Sequence, residues 1–324
     1  KYHCMQDYFF FPWNRKARDA NGVSSWAQWG WAMGQYFHHY RFVNAVKEKR
    51  GIDWFWNAAT APDDRGFFNW SYGTNNCNIY TQTAKKIVVE VRSDFPWAEG
   101  GRFNTVHIDD IDYWVEVDVE KNKWPQMNEK AIKPSPEEAQ IAQNILTIMR
   151  DRDVVQLGIG TLPSAVATAM AGAGLKDLGI HTEMLNYGLI NLLESGQVTN
   201  RYKTLPADRG KSVWTLAFPF DTKWYYETVH RNQNLAVYDI GYTNNLHNLA
   251  RLDNLIAINN AVAVDLLGQV CCGFYDKRAI SSTGGFLQFV GFCSQSRGGR
   301  GVVSLTSRSK HGTPRIVPFF PVGT

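Results

Sequence analysis

Val154-Val155-Gln156-Leu157-Gly158-Ile159-Gly160-Thr161-Leu162-Pro163, followed one helix length later by Leu178-Gly179-Ile180-His181-Thr182-Glu183-Met184, decides the fold of this chain. The first four residues are β-branched or apolar apart from one glutamine, the pattern of a short strand buried on both faces. Gly158 and Gly160 bring no side-chain bulk to the turn that follows, so the backbone there can approach a ligand closely. Pro163 suits the first turn of a helix, Ala165, Val166, Ala169 and Met170 supply its apolar face, and Gly172 or Gly174 can end it. The pattern then predicts a second strand over 178–182 that runs into Glu183. Strand, helix and strand in this order make a βαβ unit, and the α/β class follows. In parallel sheets the carboxyl ends of the strands face the ligand crevice, which makes Glu183 the candidate nucleophile.

Other readings of the same unit compete. A dinucleotide-binding fingerprint also has a glycine turn after a strand and an acid at the end of the next one. Here Pro163 occupies the third glycine position of G-x-G-x-x-G, and Glu183 lies beyond the usual spacing of about 20 residues, which argues against NAD. A glycine turn and a strand-end glutamate can also merely cap a sheet edge, because G-x-G alone carries little information.

The stretches Leu157 to Val166 and Leu178 to Met184 resemble the acetyl-CoA hydrolase/transferase family, which includes 4-hydroxybutyrate and butyryl-CoA:acetate CoA-transferases. In that family the glutamate of the G-I-H-[ST]-E-M segment attacks the acyl-CoA thioester, so the resemblance also places the nucleophile on Glu183. Tyr242-Thr243-Asn244-Asn245 and the run from Ile258 to Gln269 match further family segments, and the first assigns an active-site role to Asn244. Read from the residues alone, asparagines in turns more often form structural Asx-turns. Ser282-Thr283-Gly284-Gly285-Phe286-Leu287-Gln288-Phe289 stands where the family carries a glycine loop, G-[IVT]-G-G-Q-x-D-F, that approaches the thioester and CoA. Phe286 replaces the glutamine of that loop and Gln288 its aspartate. Pro62-Asp63-Asp64-Arg65-Gly66-Phe67, a helix from Cys77 and the strand Ile87 to Val91 match the family's first domain, with Arg92 in place of an asparagine.

The resemblance implies two related open α/β domains of the CoA-transferase type with the active site between them. Residues 1–120 form the first domain, 121–134 a polar linker, and 135–324 the second domain, which carries Glu183. By comparison with the family, the chain lacks pieces at both ends. The implied chemistry is transfer of CoA between a short-chain acyl-CoA and a carboxylate through acyl-glutamyl anhydride and glutamyl-CoA thioester intermediates. Backbone N–H groups at Ile159, Gly160 and Gly284 or Gly285 would hold the oxyanion, each worth roughly 3 kcal/mol. Gly158, Gly160, Gly284, Gly285, Phe286 and Gln288 would meet CoA, and Glu183 and Asn244 would act in catalysis. No metal and no cofactor beyond CoA as co-substrate is expected. The partners are an acyl-CoA, a small carboxylic acid and further copies of the chain in a homo-oligomer. The alternatives are an acyl-CoA hydrolase on the same scaffold and a non-catalytic nucleotide-binding or assembly subunit.

Composition supports this frame. With 324 residues the chain has room for two ordinary α/β domains, and the hydrophobic content of 44% is that of a globular protein. No apolar run reaches membrane-spanning length. The net charge of +4 is mild, but after Asp276 there are seven Lys and Arg residues and no acid, so that end could face an anion. The 5 cysteines are odd in number, lack CxxC spacing and include the adjacent pair Cys271-Cys272, which reads as a reducing, cytoplasmic setting. His3-Cys4 and His38-His39 are not at metal-ligand spacing, since adjacent residues point apart on either regular element. Arg297-Gly298-Gly299-Arg300-Gly301 resembles an RNA-binding tail element. A single copy between the strand-like segments Phe286–Val290 and Val302–Leu305 reads instead as a hairpin turn, so no nucleic acid is expected. Ser135-Pro136-Glu137-Glu138 predicts a capping box that opens the second domain, and strands are expected at 53–58, 213–218, 235–238 and 255–258.

Overall fold

The computed structural model describes residues 53–101, 103–124, 133–217, 222–275, 278–279, 284–322 and 324. The expected aromatic core of residues 1–50, the two histidine motifs, most of the linker and Ser282-Thr283 lie outside the described residues. The first part contains the strands Trp54–Ala59 (β1), Phe67–Asn69 (β2), Lys86–Val91 (β3), Thr105–His107 (β4) and Tyr113–Glu116 (β5). β1, β3 and β5 form a parallel sheet in that order, and β2 pairs with β4 antiparallel. The predicted turn is present: Asp63 and Phe67 pair through their backbones, and Asp63 Oδ1 accepts from the N–H groups of Arg65 and Phe67.

The second part opens with the helix Pro136–Leu146. Ser135 Oγ accepts from the Glu138 N–H, and the Glu138 carboxylate accepts from the Ser135 N–H, the reciprocal pair expected of S-P-E-E. Then come Val154–Leu157 (β6), the helix Thr161–Gly172, Gly179–Ile180 (β7), Met184–Leu185 (β8), the helix Tyr187–Glu194, Ser212–Trp214 (β9), Leu216–Ala217 (β10), the helix Thr222–Val229, Leu235–Val237 (β11) and Leu255–Asn260 (β12). Short strands follow at Ala263–Asp265 (β13), Val270–Cys271 (β14), Phe274–Tyr275 (β15) and Arg278–Ala279 (β16). The helix Phe286–Phe292 precedes Arg300–Ser304 (β17) and Ile316–Val317 (β18).

A parallel sheet of order β17-β12-β6-β7 carries this part. Side chains alternate faces along a strand, and here both faces are covered. Val155 and Leu157 of β6 and Ile256 and Ile258 of β12 pack with Ile145, Val166, Met170, Leu189 and Leu192 from the helices of one side. Val154, Leu255 and Ala257 pack on the other with Leu249, Leu252, Phe289 and Cys293. The α/β class is the one the βαβ reading predicts.

Three expectations need correction. The strand expected at 178–182 is only two residues long, because the chain changes sheets at its end. His181 bridges Val213, Thr182 N–H donates to Val213 O, and β8 then pairs with β10. The Thr182 hydroxyl reaches the carbonyls of Leu157 (3.3 Å) and Met184 (3.2 Å), which holds the kink by side-chain bonding where a ladder would otherwise run. The strand expected at 213–218 breaks at Thr215 for the same reason, since β9 and β10 pair with different neighbours. Residues 286–290 are helical, and no hairpin joins them to β17. A strand would place Phe289 and Leu287 on one face, whereas the helix buries Phe289 fully and exposes Leu287.

Candidate active site

β6, β12 and the segment after β7 all end at the same edge of the parallel sheet, and Gly158, Ile159, Asn259 and Glu183 meet there. They border a cavity of about 230 Å³, with Met184, Gly285 and Phe286 among its other walls. Among the described residues its lining comes entirely from residues 156–286. The main chain at Glu183 is held from behind, where its carbonyl accepts from the N–H groups of Thr215 (3.0 Å) and Leu216 (3.1 Å). The first part of the chain reaches this same strand: Gly73 bridges Leu216, and the Thr74 N–H donates to Thr215 O at 3.1 Å. Glu183 therefore sits one strand away from where the two parts join. Asn186 ties the segment to the glycine turn, donating to Gly158 O at 2.7 Å while capping the helix Tyr187–Glu194 through Leu189 N–H.

The Glu183 side chain is 5% exposed. Burial pushes its carboxyl up to about 7, while donors from Asn244 Nδ2 and the Gly285 N–H favour the charged form and pull it back down. Asn244 Nδ2 lies 2.9 Å from Glu183 Oε2. Gly285 permits this approach because a Cβ at that position would run into the Glu183 carboxylate and stand 2.7 Å from Asn244 Nδ2. Gly160 starts the helix Thr161–Gly172 with φ 114° and ψ −178°, a conformation open essentially to glycine alone. The N-terminus of that helix, beside Ile159 in the cavity wall, favours negative charge. Gln156 and Asn259 exchange hydrogen bonds of 3.2 and 2.7 Å at the cavity floor, which satisfies both buried amides.

The structure brings together Glu183, Asn244, Gly158, Ile159, Gly284, Gly285 and Phe286 of the residues named from sequence. Gly160 lies one residue behind the cavity wall as the helix cap. Gln288, expected to meet CoA, lies outside the described cavity lining. It is buried in the helix Phe286–Phe292, and its carboxamide has no hydrogen-bond partner among the described residues. Arg92 is occupied structurally: it pairs with Asp94 at 2.9 Å, donates to Asn122 O and lies over the Trp124 ring. In the acid-free end, Arg297 is paired with Asp253 and Arg300 with Asp153. Sequence reasoning missed Thr243, His181, Lys203 and Asp208, which form a buried polar layer behind Asn244. Lys203 and Asp208 lie in a polar loop with no periodicity, and nothing in their spacing marks them as interior. Among the described residues no group of three or more His, Cys, Asp or Glu is placed to hold a metal ion, and no helix is long and apolar enough to cross a membrane.

Comparison with known proteins places this geometry in a family. Residues 12–123 match the acetyl-CoA hydrolase/transferase N-terminal domain and residues 222–324 the corresponding C-terminal domain. The chain is 35% identical over 267 residues to a probable butyrate:acetyl-CoA coenzyme A-transferase of Syntrophomonas wolfei, covering 82% of this chain and 58% of that protein. It is 32% identical to the 4-hydroxybutyrate coenzyme A transferase of Clostridium kluyveri, covering 88% of this chain and 64% of that one. The chain thus spans about three fifths of the length of these curated relatives. Among solved structures it is similar to RipA from Yersinia pestis, with a TM-score of 0.80 at 28% identity over 96% of this chain and 68% of that one. It is also similar to a 4-hydroxybutyrate CoA-transferase from Porphyromonas gingivalis, with a TM-score of 0.72 at 28% identity over 88% and 67% of the two chains. With both domain types matched and the βαβ unit in place, the chain belongs to the acetyl-CoA hydrolase/transferase family.

Proposed function

We propose that the protein is a CoA-transferase that moves CoA between a short-chain acyl-CoA and a small carboxylate, with Glu183 as the nucleophile. The observation that carries this reading is a buried carboxylate facing a cavity, with two hydrogen-bond donors on it and no other acid in the described lining. A Glu183 carboxylate oxygen attacks the thioester carbonyl, the C–S bond breaks, and CoA leaves as the thiolate, giving an acyl-glutamyl anhydride. The thiolate attacks the glutamyl carbonyl and expels the first carboxylate, leaving CoA on Glu183 as a thioester. An acceptor carboxylate attacks that thioester and releases the thiolate, which then attacks the acyl carbonyl of the new anhydride. A new acyl-CoA forms and the Glu183 carboxylate returns. No step needs a general acid, because each leaving group is an anion.

Each tetrahedral intermediate carries an oxyanion. The backbone N–H groups of Ile159 and Gly160, near the helix N-terminus, and of Gly284 and Gly285 are the donors we assign to it. A carboxyl near 7 is about half ionised at neutral pH, and its weak solvation makes the ionised half a better nucleophile than a carboxylate in water. The domains follow the division at 1–120, 121–134 and 135–324. We place the protein in a reducing setting such as the cytoplasm, on the odd number of cysteines and the lack of CxxC spacing in the sequence.

The test is acyl-CoA turnover with and without a panel of short carboxylates. Transfer predicts new acyl-CoA that appears only when an acceptor is present and disappears in Glu183→Ala. Hydrolysis of acyl-CoA at the same rate without acceptor would assign the site to a hydrolase, and full activity in Glu183→Ala would remove the mechanism.

A further inference from the structure

We propose that Thr243 is a positioning residue which, with His181 and Asp208 behind it, holds the Asn244 carboxamide so that its N–H, and not its oxygen, faces Glu183. The inference rests on Glu183 being the nucleophile. A carboxamide is nearly symmetrical in shape, so its partners decide which end points where. Asn244 is buried at the C-terminal end of the helix Ile240–Thr243, and its own N–H is bound to Ile240 O at 3.0 Å. With the main chain fixed, side-chain rotation is the freedom that remains. The Thr243 hydroxyl donates to Asn244 Oδ1 at 2.9 Å, and Asn244 Nδ2 donates to Glu183 Oε2 at 2.9 Å. With the hydroxyl proton on Oδ1, the NH2 group is turned to the carboxylate. The opposite orientation would set an amide oxygen against Glu183, acceptor against acceptor.

Thr243 is in turn fixed from behind. His181 Nε2–H donates to Thr243 O at 2.8 Å, so the carbonyl determines that Nε2 carries a proton. His181 Nδ1 then faces Asp208 Oδ2 at 3.7 Å, and neither atom has a hydrogen-bond partner among the described residues. Asp208 Oδ1 accepts from the Tyr242 hydroxyl at 2.9 Å. Lys203 Nζ donates to the carbonyls of Ile180 and Lys211, both at 2.8 Å. His181, Lys203, Asp208 and Thr243 are all 1% exposed or less, so solvent does not reach this layer. Burying three ionisable groups is costly, and a layer of greasy side chains would pack as well. For His181 and Asp208, a role in orienting the Asn244 amide on Glu183 accounts for their place.

Among the described residues the groups that face Glu183 are the Asn244 amide and the Gly285 N–H, and apart from Cys272 no other titratable side chain is in the described cavity lining. The acid limb of the rate profile therefore reports Glu183. The test compares Thr243→Val, which keeps the shape and deletes the hydroxyl, with Thr243→Ser, which keeps the hydroxyl. In the full chain, Thr243→Val is expected to lower kcat about tenfold, with KM for acyl-CoA within about twofold and the acid limb moved to higher pH, because one donor to the carboxylate is lost. Thr243→Ser should restore both kcat and the limb. Thr243→Ala provides the same readout should the valine variant fold poorly. Wild-type kcat and limb in Thr243→Val, or equal losses in the Val and Ser variants, would overturn the proposal. Glu183→Ala separates the two claims: an active Glu183→Ala sinks the nucleophile itself, whereas an inactive one beside a fully active Thr243→Val sinks only the positioning role.

Discussion

Replacing Glu183 by Gln removes the charge and leaves the shape, so it isolates the energy of holding a carboxylate in this cavity. Asn244 can still donate, now to the amide oxygen. Burial raises the carboxyl from its ordinary 4.5 to about 7 in the folded chain. The folded state therefore holds the proton more tightly than the unfolded state does. The stabilisation is fully present below the unfolded value of 4.5 and is lost as pH rises through about 7. At 1.36 kcal/mol per tenfold change, the wild-type protein loses about 3 kcal/mol across that window and the Gln variant loses none of it. Urea unfolding of both proteins at a series of pH values between 4 and 9 gives the comparison directly. The difference in stability should shift by about 3 kcal/mol in favour of the Gln variant and level off above pH 8. A difference that does not change with pH would show that Glu183 titrates as an ordinary carboxylate, and the reasoning from burial would be refuted.

Other outcomes follow from the same geometry. Gly285→Ala should lower kcat at least about a hundredfold with little change in unfolding midpoint, since the new methyl displaces the Glu183 carboxylate and a backbone donor with it; wild-type turnover would contradict the close approach. Gly160→Ala forces a Cβ into a backbone conformation open to glycine and should destabilise the protein by about 1–3 kcal/mol, measured by urea unfolding. The acid limb of kcat should fall near pH 7, with activity rising as Glu183 ionises, and a limb near 4.5 would mean that an exposed acid is titrating instead.

Much of this architecture is legible in the residues. The run Val154 to Leu157 has the character of a doubly covered strand, the capping box at Ser135 declares a helix start, and the two glycines after β6 suit a turn. These are local signals, and the chain obeys them. What was not legible depends on which neighbours a segment meets. Residues 178–182 have strand character throughout, yet the ladder stops at Ile180 because Thr182 spends its hydroxyl on two carbonyls and Val213 offers a better partner. Phe286 to Val290 is aromatic and β-branched enough for a strand, but only a helix aims Phe289 at Leu249 and Leu252. At the site, Glu183 is visible from its place beyond a strand end. Asn244 is not, because its distance in sequence hides a contact of 2.9 Å, and only resemblance suggested it. Lys203 and Asp208 are hidden for a different reason: their composition is that of surface, and only the fold makes them interior.

The central claim is that Glu183 carries CoA as a covalent thioester, and trapping that species tests it most directly. The protein is incubated with an acyl-CoA and no acceptor, then treated with borohydride, which reduces a thioester to an alcohol but spares a free carboxylate. Mass spectrometry of the peptide spanning Ile180 to Met184 should show one oxygen fewer and two hydrogens more on residue 183, with activity lost in proportion. Acceptor carboxylate added beforehand should prevent both changes, because its attack empties the thioester state. An unmodified peptide from a folded, CoA-binding and catalytically active protein would contradict the account.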